Sequence, residues 1–363
     1  SLRSRGLGDV YKRQVKRGQH DRNLWAKNFR NEIIKNPNFP IIKQSVNLEL
    51  TNHELPKFFY DSTPCPYRQK GGSVEAEKLL QSFLNKRGEN YQFEMSSPIT
   101  AEKSCSRLST HLTYGTISHR AVFQEATKKR DQIKHTNKNF AKSINSFLSR
   151  LHWRSHFIQK LEDQPSIEHT SFIPVYDQIR EKDEEKLEAW IEGKTGVHFI
   201  DACMIYLRNY GWINFRMRAM LASFASYNLW LDWRYFAPRL AALFTDFEPG
   251  IHYSQIQMQS GTTGINTIRM YNPYKQAMDQ DPLGKFIKSQ IPEVKNFPPA
   301  FFHNPPKKSL NVNLFDNEFQ KEIINVKETA QYARKKIFDI RKSQEHKILA
   351  KNVYLKHGSR GRN

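Results

Sequence analysis

FAKSINSFLSRLHWRSHFIQKLE, residues 140–162, is the stretch on which the fold turns. Phe147, Leu148, Leu151 and Phe157 recur at the spacing of a helix that buries one face, with no two-residue alternation. Outward from it the same rhythm returns. Gly71 and Gly72 precede Val74, Leu79, Leu80, Phe83 and Leu84, which predicts a helix with Ser73 as its N-cap. Ser118 is placed to cap a helix through Val122, Phe123 and Ala126. Phe199, Ile200, Cys203, Met204 and Leu207 predict another, broken at Gly211 and resumed over Trp212–Trp233. A short helix is expected near Trp25–Lys35. Phe244 to Pro273, with Gly250, Gly261 and Gly264, reads as a long irregular loop, and such loops inside helical domains tend to carry function. With no βαβ alternation, no Asn-Gly hairpin and no internal repeat, the expected fold class is all-α.

Composition bounds the partners. The chain has 363 residues, enough to bury a substantial core, and 12% aromatics argue for a folded protein over a disordered one. No apolar run approaches the roughly 18 residues of a spanning helix, so no membrane partner is expected. Cys65, Cys105 and Cys203 show no CxxC spacing and supply neither a disulfide framework nor a metal set. A reducing compartment follows as the expectation: cytoplasmic, or nuclear in a eukaryote. Lys and Arg number 57 against 36 Asp and Glu, a net charge of +21 that points toward a polyanion such as nucleic acid. The excess concentrates at the ends, with 12 cations against 4 acids from Lys321 to Asn363. Solvated helix faces account for such runs as well as a basic rim around a nucleic-acid groove does.

Four clusters carry possible chemistry. Cys105, Ser106, Arg107, Leu108 and Ser109 open a helix, where free N–H groups attract anions, although an ordinary cap has the same residues. In Leu151–Phe157, Trp153 and Arg154 invite a stacked base and a bound phosphate, or else a buried Trp beside a snorkelling Arg. Arg216 and Arg218 are two apart and therefore point to different faces of a helix, either toward two ligands or toward solvent. Asp232-Trp233-Arg234 and Asp246-Phe247-Glu248 offer carboxylates that pair with an Arg or face water, with no catalytic His or metal set beside them.

Together and in this order, these clusters resemble the FAD-binding domain of the cryptochrome/DNA photolyase family. The matching runs are SRLSTHLTYGTIS (106–118), RLHWRSHF (150–157), EGKTGVHFIDACM (192–204), GWINFRMRAMLASF (211–224), LDWR (231–234), DFEPG (246–250) and RMYNPYKQAMDQDPLGKFI (269–287), between Gly71 and Glu293. The resemblance implies an all-helical domain holding FAD. Tyr91 and the run Cys105, Ser106, Arg107, Leu108 and Ser109 would line the phosphate and ribose, with Cys105 where the family often has Thr. Arg154 would meet the pyrophosphate, and Phe147 and Phe247 would join the cofactor set. Arg218 and Asp246 would pair beside the isoalloxazine, Glu248 would lie near its polar edge, and His252 falls where a residue faces flavin N5. A cation at that place favours a reduced, anionic flavin. Trp233 would carry electrons, Trp153 would stack flipped bases and Arg216 would meet DNA phosphate.

The departures are as specific. Arg150 replaces a lesion-binding Glu, Phe215 an Asn, Ala219 a Met and Met258 a second clamping Trp. Asn214 does not supply the His of the (6-4) class. Ile256 stands at the flavin-proximal position of the Trp chain, with Trp230 and Tyr176 as possible substitutes. Residues 1–14 read as a foreign leader, 15–70 as a linker from a missing antenna domain, and 71–363 as the FAD-binding domain; the antenna chromophore is therefore unknown. The expected function is light-driven repair of pyrimidine dimers in DNA. The alternatives are a cryptochrome photoreceptor without repair, its protein partner unknown, and a cofactor-free helical nucleic-acid module.

Overall fold

The computed structural model describes residues 22–35, 64–304 and 322–357; the expected leader, residues 1–14, lies outside these, as does much of the expected linker over 15–70. Its α-helices of six residues or more are α1 (Arg22–Ile33), α2 (Ser73–Ser82), α3 (Pro98–Ser104), α4 (Ser109–Tyr114), α5 (His119–Ile133), α6 (Lys138–Asp163) and α7 (Glu184–Glu192). They continue with α8 (His198–Tyr210), α9 (Phe215–Ser223), α10 (Trp233–Ala242), α11 (Pro249–Ser260), α12 (Pro273–Gln280), α13 (Lys285–Gln290), α14 (Val326–Lys342) and α15 (Gln344–His357). Among the described residues the only β pairing is a bridge between Glu181 and Leu231. No helix there is long and apolar enough to cross a membrane.

The long helix α6 organises the molecule. Asn137 caps it by accepting from Phe140 N at 3.0 Å. Its first half buries Phe140, Ile144, Phe147, Leu148 and Leu151 against Leu80, Phe83, Val122 and Ala126. A second, larger cluster gathers α7 to α10 around Trp190, Phe199, Met217, Phe224, Trp233 and Phe236. Cys105 packs against both clusters, so the turn before α4 sits at their junction. Ser118 caps α5 as expected, accepting from Ala121 N. Helix α1 docks Trp25, Phe29 and Ile33 onto α5 and α6, with Phe29 edge-on to Phe123 at 5.4 Å and to His152 at 4.9 Å. This part of the expected linker is thus packed into the helical domain.

Three sequence expectations change. Ser73 is the first helical residue of α2, and the N-cap is Gly72 at φ 98°, with no capping side chain. The expected helix over Trp212–Trp233 is interrupted. It runs as α9 into a π-turn at Phe224–Asn228 and stops ahead of Trp230, which sits at φ 58°; Asp232 then accepts from Arg234 N at 2.8 Å and caps α10. The expected loop over Phe244–Pro273 contains helix α11, with Pro249 in its first turn and Gly261 closing it at φ 72°, and stays irregular over 261–272. Helix α11 shows no apolar stripe because it is buried on nearly every side, and some of its polar residues bond inside the protein. Gln257 donates to Ile167 O and Thr170 O and accepts from Phe172 N, tying the segment after α6 to α11.

Gly250 sets the spacing of α11 and α6, since a Cβ there would lie 2.6 Å from Ile158 Cα and 3.2 Å from its carbonyl oxygen. Backbone atoms cannot yield as a flexible side chain does. Gly250→Ala should therefore lower stability by about 1–3 kcal/mol. Urea unfolding reads this directly, and an unchanged midpoint would refute the close-approach argument.

Candidate functional site

The turn between α3 and α4 is held from behind. Arg87, on the π-turn that follows α2, donates to the carbonyl oxygens of Lys103 (2.8 Å), Cys105 (2.7 Å), Ser106 (3.3 Å) and Leu79 (3.1 Å). Gln69 Nε2 donates to Arg107 O at 2.8 Å. With these carbonyls engaged, the turn adopts a backbone that few side chains tolerate: Arg107 sits at φ 62°. That conformation lays its guanidinium 3.8 Å from the centre of the Trp212 ring and leaves Nη1 buried without a partner. Neither Arg87 nor Gln69 lies in a motif, so sequence reasoning missed both.

Facing this turn is the pair Arg218–Asp246. Arg218 Nη1 and Nη2 reach the two carboxylate oxygens at 3.0 and 2.9 Å, and Nε donates to Ile213 O at 2.7 Å. Burial alone would push the Asp246 carboxyl up. The Arg218 charge and hydrogen bonds, with help from Ser109 and Arg107, outweigh it and hold the carboxyl below its ordinary range. Thr110 Oγ1 meets Thr245 Oγ1 at 3.3 Å, fastening α4 to the same turn. Two residues on, Glu248 begins α11 and lies 3.5 Å from Arg154 Nη2, which also donates to Leu112 O at 3.1 Å.

His252, on the first turns of α11, is buried, and its Nε2 meets the carbonyl oxygen of Ala237 at 2.9 Å. A carbonyl only accepts, so Nε2 carries the proton and Nδ1 is left as an acceptor. Burial pushes its pKa down to about 4, so the ring is neutral near pH 7. Phe247 packs edge-on to His252 at 5.3 Å. Tyr253 links this group to Trp233, lying 5.2 Å from His252 and 6.3 Å from Trp233, ring centre to ring centre. Tyr253 is not among the electron carriers expected from the sequence, which are Trp233 with Trp230 and Tyr176 as substitutes.

The structure thus brings together Cys105, Arg107, Ser109, Arg218 and Asp246, with Arg154, Phe247, Glu248 and His252 around the start of α11. Ser106 accepts from Leu108 N within the turn. Tyr91, Leu108 and Phe147 belong to the first core cluster instead, Tyr91 and Phe147 packing edge-on to Phe83 at 5.6 and 4.8 Å. The two arginines of α9 do part company: Arg218 takes the carboxylate, while Arg216 is half-buried with Nε lacking a partner. Trp153 is half-buried and stacks on Phe157 at 5.6 Å. Trp233 is buried and donates to Ser171 Oγ at 2.8 Å. Asp201 serves the fold, accepting from Thr195 N, Thr195 Oγ1 and Gly196 N ahead of α8.

This donor set suits an anionic group. Arg87, Arg107, Arg150 and Arg218 all bear on the Cys105 thiol, yet burial still raises it to about 12, so it stays a neutral S–H. Partnerless buried N–H groups on Arg107 and Arg216 add donors that a phosphate-bearing ligand would satisfy.

Residues 147–346 match the family model of the FAD binding domain of DNA photolyase. A deoxyribodipyrimidine photo-lyase of Streptomyces griseus is 30% identical over 243 residues, covering 67% of this chain and 50% of its own length. Cryptochrome-2 of Arabidopsis thaliana is 31% identical over 292 residues, covering 75% of this chain and 46% of its own. The chain spans about half the length of these curated relatives. Among solved structures, an archaeal photolyase from Sulfolobus tokodaii with two FAD molecules superposes with a TM-score of 0.60 at 30% identity, over 75% of this chain and 57% of that one.

Because the Asp246 carboxyl is held below its ordinary value of 3.8, the pair contributes fully above that pH and is lost as pH falls through the folded value. Asp246→Asn should remove this acid-limb dependence. At neutral pH it should cost about 2–3 kcal/mol, less than for a fully buried pair because the Arg218 side chain is 26% exposed. Identical acid limbs in denaturant titrations of the two proteins would overturn the assignment.

Proposed function

The chain belongs to the DNA photolyase/cryptochrome family, and from that premise we propose that its helical domain holds FAD and uses blue light to repair pyrimidine dimers in DNA. The observation that carries the reading is the bidentate Arg218–Asp246 pair set against the Arg107 turn at the junction of the two core clusters. Bound FAD, reduced and excited by blue light, would supply the electron that opens the ring joining two pyrimidines. The protein's part is to bind and orient. The guanidinium of Arg107 and the Cys105–Ser109 turn hold phosphate, and Arg154 reaches the same side. Arg218, its position fixed by Asp246, presents positive charge to the isoalloxazine and stabilises negative charge there. Neutral His252 offers Nδ1 as an acceptor, and Trp233 with Tyr253 supplies a route for electrons into the site.

On the DNA side, Trp153 stacks an extruded base and Arg216 meets phosphate. The basic excess of α14 and α15 adds to the field that draws the duplex in. A second reading, a photoreceptor without repair, is favoured by one surface feature. Phe215 stands 50% exposed at the start of α9, where dimer-splitting relatives place an Asn, so a lesion contact is replaced by an apolar group.

The test uses the purified chain reconstituted with FAD. Flavin absorbance in the blue should appear, and reduced protein should remove dimers from a dimer-containing oligonucleotide under blue light. Intact flavin without dimer loss would replace repair by the photoreceptor reading. Folded protein that takes up no flavin would overturn both. Arg216→Ala should keep the flavin while weakening DNA binding, with the salt slope falling by about 1.

A further inference from the structure

Away from this site, a second set of buried donors lies where the segment after the 3-10 turn Pro174–Gln178, the π-turn Phe224–Asn228 and the end of α11 meet. Arg180 is 7% exposed. Its Nε donates to Ser226 O at 3.0 Å and its Nη2 to Ser260 O at 2.8 Å. Ring faces cover the guanidinium, with Trp230 centred 4.9 Å and Tyr227 5.6 Å from its carbon. Nη1 has no partner, and neither do the hydroxyls of Tyr227, Ser226 and Ser260, all of them buried. The Tyr227 hydroxyl lies directly over Gly261, 2.4 Å from where a Cβ would stand, and so beside Ser260. From α14, Arg341 approaches the neighbouring Tyr176 phenol, with its Nε buried and unpartnered and its Nη2 on Asn266 O at 2.8 Å.

No carboxylate of the described residues forms an ion pair with Arg180 or Arg341. Asp232, whose charge does reach Arg180, is bound by Arg234 Nη2 at 2.5 Å. A buried guanidinium needs compensating charge as well as hydrogen-bond acceptors, and two carbonyls with two ring faces supply only part of it. A water molecule would satisfy the hydroxyls but leave the charge. We propose that Arg180 Nη1 and the hydroxyls of Tyr227, Ser226 and Ser260 bind a small inorganic anion of the halide class. Tyr227 packs in one apolar cluster with Ile173, Ala333 and Ile337, which favours a monatomic ion over a tetrahedral oxyanion beside it. Arg341 adds a second positive charge from α14, so the ion fastens that helix to the core.

Two measurements test the site together. The unfolding temperature, followed in sodium chloride or bromide against sodium gluconate at constant ionic strength, should rise saturably with halide only. Crystals soaked in bromide should show an anomalous peak within hydrogen-bond distance of Arg180 Nη1. Tyr227→Phe, which removes one donor and no charge, should raise the half-saturating halide concentration about tenfold. Arg180→Met should abolish the halide response; if it does not fold, Tyr227→Phe and the bromide map still decide. Equal unfolding temperatures in halide and gluconate, an ordered water in place of bromide, or a peak with no saturable stabilisation (an adventitious ion only) would each overturn the proposal.

Discussion

The bidentate pair between Arg218 and Asp246 is the interaction on which fold and site both depend. It joins α9 to a turn 28 residues later, and that turn begins α11 at Glu248. Glu248 in turn faces Arg154 on α6, so one chain of charge contacts fixes three helices around the end of α4. A buried pair of this kind is weak as a source of net stability, because desolvation offsets most of its attraction. Its consequence is positional: with both carboxylate oxygens taken, the guanidinium has one place to be.

Close approach between backbones is the matching constraint. Helices α6 and α11 touch at Ile158 and Gly250, and any side chain at 250 would push them apart. That approach brings His252, Tyr253 and Gln257 into the interior one after another. Each finds a partner there: a carbonyl for His252, a ring relay for Tyr253, three backbone groups for Gln257. A polar helix is thereby made into core.

This explains what could be read from residues alone. Amphipathic helices were legible, since α6 and α5 each keep a clean apolar face and α5 has its Ser118 cap. Helix α11 was not, because burial on nearly every side removes the periodicity that distinguishes a helix from a loop. The break before α10 was hidden for a related reason: most of Trp212–Trp233 is apolar and buried, and the run ends at Asn228 with Trp230 at φ 58°, a backbone turn that no Gly or Pro marks in the sequence. In the site, the Arg218–Asp246 pair could be anticipated through family resemblance. Arg87 could not, because it contributes by donating to four carbonyls, and carbonyls leave no trace in a sequence.

The positive charge then divides into two populations with different physics. The cations of α14 and α15 lie mostly exposed, where salt screens them and their effect is on encounter with a polyanion. Arg107, Arg180 and Arg216 each keep a buried N–H without an acceptor, in surroundings where an unmade hydrogen bond costs about 1–3 kcal/mol. Sequence counts treat these arginines alike. Burial separates them, and it makes the inner ones evidence for bound anions in a way the surface ones are not. Arg107 and Arg216 fall within the proposed cofactor and DNA site. Arg180 belongs to a different part of the core, so the same physical argument that supports a phosphate-bearing cofactor at one place requires a separate counter-charge at the other.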